Sequence, residues 1–407
     1  MKKGKFSLVT IILSILLLLS TSLYAKSLEE AMKEMKFGTR IEAKIEHQKT
    51  DPDAKLNFQT SSSSSMIEYR GILNIATPVI NGLQLVMEGL YQTRNGKVEN
   101  IPDSDRLFSV YQLYGNYILS NSKTNFIIGR QYVNTPFTNE LVSNGFKVTN
   151  RDLPGWIFSL MAFENLKDRN DELYYYVSDF GTKDGKNLKD KSFYGAGIEG
   201  SFGLIPIQIW VGNISDVTNN VFAEAKYGLN YQGFDIGLKG QYCNSLIDDK
   251  MKDEGVIDDT TYYGICAKLG NTIFNARAGY TYIETENNKQ GFIAIQDVGS
   301  FITAGETMKY KKGLSLDLNY GETKTWFIAT KINILPITGL SLRADYVNVQ
   351  NSIVSKDRDA QEFVVGGKYK FNKRLNFKTW YSIFKDDAKD VPQIDQSTFH
   401  FEAKYKF

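Results

Sequence analysis

The sequence is poor in the features that mark most function classes. Beyond the first 25 residues no apolar run reaches the ~20 residues that a membrane-spanning helix needs, which excludes a helical membrane protein. The two histidines, His47 and His400, offer little to hydrolytic mechanisms, most of which move protons through histidine. Two cysteines, Cys243 and Cys266, are too few for a disulfide framework, and with two histidines they make no zinc set. Proline is scarce, 8 in 407 residues, so long strands can run uninterrupted. Charge of one sign is missing too: 48 Lys+Arg face 46 Asp+Glu with no long run of either, which excludes a nucleic-acid surface.

What is present begins with a leader. Lys2, Lys3 and Lys5 precede an apolar run from Phe6 to Leu19, closed by Ser20, Thr21 and Ser22 before Ala25. Residues 1–25 therefore read as a secretory signal peptide cleaved after Ala25. Residues 26–36 carry Leu28, Ala31, Met32 and Met35 at helical spacing and read as a short periplasmic segment tethered at a barrel mouth.

From Phe37 onward the chain alternates apolar and polar side chains in segments of about ten residues, the period of a strand with two different surroundings. In the first segment Phe37, Thr39, Ile41, Ala43 and Ile45 share one face, while Arg40, Glu42, Lys44 and Glu46 share the other. A soluble sandwich also alternates, so joints must decide. Tight turns at 77–82, 120–123, 203–206, 230–233, 270–271, 335–339 and 372–374 alternate with long polar joints at 48–63, 181–191, 244–259, 350–360 and 385–396. Barrels inserted from one side need that pattern, with the tight set in the periplasm and the long set outside. The expected fold is all-β: a transmembrane antiparallel β-barrel of residues 37–407 with about 18 strands. Residues 284–322, with Leu314, Leu316, Leu318 and Tyr320 in alternation, are either one long outer loop or an extra hairpin that raises the count to 20; 16 is the lower alternative.

The final segment fixes the compartment. Phe399, Phe401, Ala403, Tyr405 and Phe407 fall on one face; His400, Glu402, Lys404 and Lys406 fall on the other. Aromatic rings suit a lipid headgroup boundary, and a row of charges facing inward needs a wet lumen. Such a strand also looks like the signal read by the outer-membrane assembly machinery. The expected surroundings are bacterial outer-membrane lipid and lipopolysaccharide.

A barrel of this size leaves an aqueous channel. For its constriction the sequence offers residues 133–154, between strands at 124–132 and 155–163, with Glu140, Lys147, Arg151 and Asp152 bringing both signs of charge. By face, Arg70, Arg277, Lys331, Arg343 and Lys368 point inward as a basic far wall. Ser27-Leu28-Glu29-Glu30-Ala31, Gly129-Arg130-Gln131 followed by Thr135-Pro136-Phe137, and the terminal aromatic strand together resemble the OprD-like porins, and more closely the major outer-membrane porins of the campylobacter group. The resemblance implies an 18-stranded, trimeric porin whose third loop folds inward. No arginine ladder like that of the substrate-specific members stands out.

The function expected is passive diffusion of small hydrophilic solutes and ions. The rival classes are a barrel enzyme of lipase or protease type and a surface adhesin acting through the long loops. His47 takes lipid-facing parity and His400 lumen parity, so the pair should diverge, and no nucleophile motif sits beside either. Cys243 and Cys266 share lumen parity on adjacent strands in an oxidising compartment that permits a disulfide, and the distance between them, about six residues out of register, counts against one. The stretch Asp248, Asp249, Asp253, Glu254, Asp258, Asp259 offers carboxylates to Ca²⁺ but lacks the glycine spacing of a dedicated loop. Purified protein should show no lipase activity above a vector background; activity above it would overturn the porin reading.

Overall fold

The computed structural model describes residues 33–52, 62–95, 107–138, 141–164, 191–253, 257–295, 298–311, 314–316, 319–353, 356–388 and 394–407. The expected leader, most of the segment after it, Glu140, Glu254 and the joint at 181–190 lie outside them.

Eighteen antiparallel strands form one closed sheet. In chain order they are β1 (Lys36–Pro52), β2 (Ser62–Ala76), β3 (Leu83–Asn95), β4 (Leu107–Ile118), β5 (Thr124–Tyr132), β6 (Val142–Asn150), β7 (Ile157–Phe163), β8 (Phe193–Phe202), β9 (Ile205–Ile214), β10 (Thr218–Tyr231), β11 (Phe234–Ile247), β12 (Thr260–Gly270) and β13 (Phe274–Thr285). After an insertion holding the two-residue strands β14 (Gln290–Gly291) and β15 (Asn319–Tyr320), the wall resumes with β16 (Glu322–Asn333), β17 (Leu340–Ile353), β18 (Lys356–Lys370), β19 (Leu375–Ala388) and β20 (Ile394–Lys406). Each strand pairs with its neighbours, and β1 closes the ring against β20 in a register that sets Glu42 opposite Lys404 and Ile45 opposite Phe401. Closure leaves no edge, the condition for strands in hydrocarbon, where an unpaired amide has no water to turn to.

Alternation decides which side each residue faces. On β1, Ile41 and Ile45 are 51% and 43% exposed on the outer surface, while Glu42 between them is 3% exposed inside. Aromatic pairs gather towards both ends of the outer surface. Trp156 and Phe202 (5.1 Å) and Tyr405 and Phe407 (4.6 Å) lie at the end with the tight turns, and Tyr242 and Tyr263 (5.3 Å) and Trp326 and Tyr346 (5.2 Å) lie towards the other. Those are the two girdles that a barrel places at its lipid–water boundaries. Tight turns use the backbone such turns demand. Gln232 and Gly233 take φ of 50° and 82° between β10 and β11, as a two-residue turn matching strand twist requires.

Two expectations about joints are corrected. Residues 142–150, expected inside a loop, form β6, paired with β5 (Lys147 opposite Ile127) and β7 (Thr149 opposite Ser159). Val142, Phe146 and Val148 share one parity with the polar Asn144 and Asn150, and Pro136 and Pro154 flank the strand, so the alternation is too broken to mark it. The loop between β5 and β6 is residues 133–141 alone. Residues 350–360 are likewise mostly strand: β17 runs to Ile353 and β18 starts at Lys356. Strands that project past the hydrocarbon carry polar side chains on both faces, which removes the alternation by which strands are recognised.

The closure carries a lumenal charge network. Glu42 lies 2.8 Å from Arg40 Nε and 2.9 Å from Lys404 Nζ. Glu68, 2% exposed, lies 2.5 Å from Arg70 Nε, 2.9 Å from Arg94 Nη2 and 3.7 Å from Lys44 Nζ. Removing the carboxylate leaves three cations facing one another with little access to water. Glu68→Ala is expected to cost about 2 kcal/mol, between the values for exposed and fully buried pairs. The check is a lower temperature for the shift from folded to unfolded mobility on detergent gels, with Glu68→Asp less affected.

Candidate functional site

The lumen is not polar throughout. Phe222 on β10, Tyr262 on β12, Phe327 on β16, Val347 on β17 and Phe384 on β19 share the inner face and are almost wholly buried. Apolar rings facing a water-filled channel would be costly unless something covered them. The segment between β13 and β16, residues 286–321, is the cover. Its neck is pinched by β14 pairing with β15. Beyond the neck Phe292, Ile293, Ala294, Ile295 and Phe301 join a cluster with Phe137, Phe163, Phe193 and Trp210. Phe301 stacks edge-on with Tyr262 at 5.1 Å and Phe222 at 5.3 Å. Ile302, Ala304, Met308 and Leu314 then join a second cluster with Phe327, Val347, Val349, Ala360 and Phe384 on the far wall.

Residues 299–309 thus form a strap from the wall of β11 and β12 to that of β18 and β19. Polar anchors fix both ends. At the first, Gln241 Oε1 accepts from the Ile302 amide (2.7 Å), and its Nε2 donates to the Ser300 carbonyl (2.9 Å) and to Glu224 Oε2 (2.6 Å). Tyr262 OH donates to the Ile302 carbonyl at 3.3 Å. At the second, Glu362 accepts the amides of Glu306, Thr307 and Met308. Between them the strap meets the charged wall through Glu306, which pairs with Arg343, with Lys309 at 3.3 Å and with Lys378 at 3.7 Å. Burial works to raise the Glu306 pKa, but the three cations outweigh it and hold this carboxyl below its ordinary 4.5.

The residues 133–141 also turn inward. Val133, Phe137 and Leu141 are buried, and the carbonyls of Phe137 and Pro136 accept from the amides of Ile295 (2.7 Å) and Ser300 (2.9 Å). This short loop packs against the longer strap.

The residues expected at a constriction between 133 and 154 do not gather there. Lys147 is a strand residue whose Nζ reaches the Val133 carbonyl at 3.4 Å. Arg151 and Asp152 lie in the turn from β6 to β7, at the opposite end of the barrel from the loop. Asp152 accepts from Ser122 Oγ and the Lys123 amide, both at 2.6 Å, and from Asn150. The Ser122 hydroxyl first, then those amide donors, hold its carboxyl below the usual range. Glu140 lies outside the described residues. The five basic residues of the expected wall lie on β2, β13, β16, β17 and β18, with inward parity. Arg70 belongs to the closure network, and the guanidinium of Arg277 lies 5.4 Å from the Phe327 ring. Register sets Lys331 opposite Arg343. It also sets two basic pairs not singled out beforehand, Lys268 with Arg277 and Lys368 with Lys378.

Other candidate groups are dispersed. His400 stacks on Trp380 (5.0 Å) with Nδ1 3.4 Å from Glu46, whereas His47, across the sheet's other face, lies 2.8 Å from Ser65 Oγ. Cys243 and Cys266 are free. Cys243 sits opposite Tyr262 and Cys266 opposite Lys239, four residues out of register rather than six. Of the acidic stretch, Asp258 and Asp259 converge with Glu286. The protein's own ammonium groups enter that cluster, Lys252 at 2.7 Å from Asp259 and Lys289 at 3.2 Å from Asp258. The Asp259 carboxylate in turn holds the Lys252 pKa above its ordinary value.

Comparison with known proteins agrees with this geometry. The family model described as Campylobacter major outer membrane protein matches residues 1–407. No curated protein sequence matches. Among solved structures, OccK2 (OpdF) of Pseudomonas aeruginosa superposes with a TM-score of 0.71 at 12% identity, over 91% of this chain and 98% of that one. OccAB4 of Acinetobacter baumannii gives 0.69 at 14%, over 91% and 98%. A further OccK2 structure, in complex with glucuronate, gives 0.70 at 12%, over the same shares.

Because the Glu306 pKa is depressed, its pairing with Arg343 and Lys378 is complete above 4.5 and is lost only as pH falls through the lowered value. The Glu306 contribution to ion preference, read as the difference in reversal potential between the wild type and Glu306→Gln in a salt gradient, should persist in mildly acid solution and vanish as pH falls through the lowered value. At neutral pH Glu306→Gln should be shifted towards anions from the wild type.

Proposed function

We infer the transport properties of this chain from two premises: it belongs to the Campylobacter major outer membrane protein family, and it is an integral outer-membrane β-barrel porin. Neither the family nor the fold is that of an enzyme. Small hydrophilic solutes and ions pass through the lumen by passive diffusion, between the charge network of the closure and the strap that covers the apolar wall. Selection is by width and wall charge rather than by a motif.

The observation that carries the reading is the cross-strand placement of like charges. Lys268 opposite Arg277, Lys331 opposite Arg343 and Lys368 opposite Lys378 each cost stability, since like charges directly opposite in a sheet repel. Such pairs serve the lumen potential, and a low-dielectric wall focuses it on passing ions. Glu306 offsets the row where the strap meets Arg343, so the narrow region has mixed charge beside a basic wall. The glucuronate bound by OccK2 belongs to that protein. It favours carboxylate-bearing solutes among those this channel admits.

The same reading extends to assembly. A homotrimer, delivery by the outer-membrane assembly machinery and an outer collar of lipopolysaccharide suit the family, the aromatic last strand and the two girdles; crosslinking of the native protein tests the trimer. In planar bilayers the purified protein should give stepwise channels. Arg277→Ala and Arg343→Ala should each move the reversal potential towards cations and together move it further. An unchanged potential would remove the basic wall from the conducting path.

A further inference from the structure

Glu362 is the least explained charge in the barrel wall. It lies on β18 with no measurable exposure, among Val347, Val364 and Phe384, all almost wholly buried. A carboxylate so placed needs strong compensation. It receives it from the strap: the amides of Glu306 (3.0 Å) and Thr307 (2.8 Å) donate to Oε1, and that of Met308 (2.8 Å) donates to Oε2. Ser382 Oγ, from β19, donates to Oε1 at 2.5 Å, and the Thr307 hydroxyl lies 3.0 Å from Ser382 Oγ. Gly305 permits the approach. It has φ of 83°, and a Cβ there would collide with Glu362 Oε2.

We propose that Glu362 is the positioning residue of the pore: its buried carboxylate fastens residues 306–308 of the strap to the wall and thereby sets both the width of the channel and the place of the Glu306 charge. Successive amides aimed at one carboxylate fix a backbone path more closely than apolar packing does, because the acceptor loses its partners if the path shifts. Glu306 follows directly. Its own amide is held by Glu362, while its side chain turns to Arg343, Lys309 and Lys378. If the fastening is lost, the strap stays tied at Gln241 and Tyr262 but its second end leaves the wall; Lys378 then loses Glu306, and Arg343 keeps only Asp345, 3.6 Å away on its own strand.

The inference rests on the channel reading, and the experiment separates the two. Single-channel conductance and reversal potential are recorded in a salt gradient for the wild type, Glu362→Ala and Gly305→Ala, all carrying Cys266→Ser. Both variants should raise conductance about twofold or more, as widening a constriction does, and shift the potential towards anions. In the Glu362→Ala background, Thr307→Cys with Ser382→Cys should restore wild-type conductance when oxidised and lose it again on reduction, a reversal that general loosening of the barrel would not produce. Should Glu362→Ala fail to assemble, Gly305→Ala decides, because it changes only the strap. Wild-type conductance and potential in the variants would overturn the inference and leave the porin reading standing; absence of channels in the wild type would instead overturn that reading.

Discussion

Hydrocarbon offers a backbone no hydrogen-bonding partner, and every other property of this protein is arranged around that fact. Eighteen strands satisfy it only as a ring, so the pairing of β1 with β20 is the condition for all the rest. Once the ring is closed, the outer face must be apolar and the inner face is released from that demand. The lumen then becomes the place where charges, rings and an entire inserted segment can be accommodated at little cost to insertion.

Two solutions for the inner face coexist. Around the closure, Arg40, Glu42, Lys44, Glu68, Arg70, Arg94 and Lys404 interleave their charges and need no cover. Across the barrel, inward rings and branched side chains need one, and the strap supplies it. Apolar packing places the strap broadly, and Gln241 and Glu362 place it closely. Its lumenal edge carries Glu306 against a wall with excess positive charge. On the proposed reading the strap sets the width, and the basic wall that it faces shares the selectivity with Glu306.

The fold was legible because lipid imposes period two on every outward face: the alternation at Phe37–Glu46, the aromatic last segment and the tight turns led to 18 strands. The strand β6 was not, since Val142, Phe146 and Val148 are its whole apolar signal and Asn144 interrupts them. The strap was harder. Phe292, Ile293, Ile295 and Ile302 follow no period because they pack in a folded segment inside the barrel. A signal did exist: Phe222, Tyr262, Phe327, Val347 and Phe384 occupy lumen parity on five strands, and inward apolar residues on so many strands imply a cover. The basic residues Arg277, Lys331, Arg343 and Lys368 were found by parity alone, whereas Glu306, Gln241 and Glu362 carry no sequence mark that separates them from other polar residues.

The central claim is that the segment between β13 and β16, and not residues 142–154, narrows the channel. Single-channel conductance of a variant with residues 298–316 replaced by a short Gly-Ser link tests it most directly, beside one carrying Arg151→Ala and Asp152→Ala. The account predicts a severalfold rise for the first and wild-type conductance for the second. The reverse pattern would contradict it.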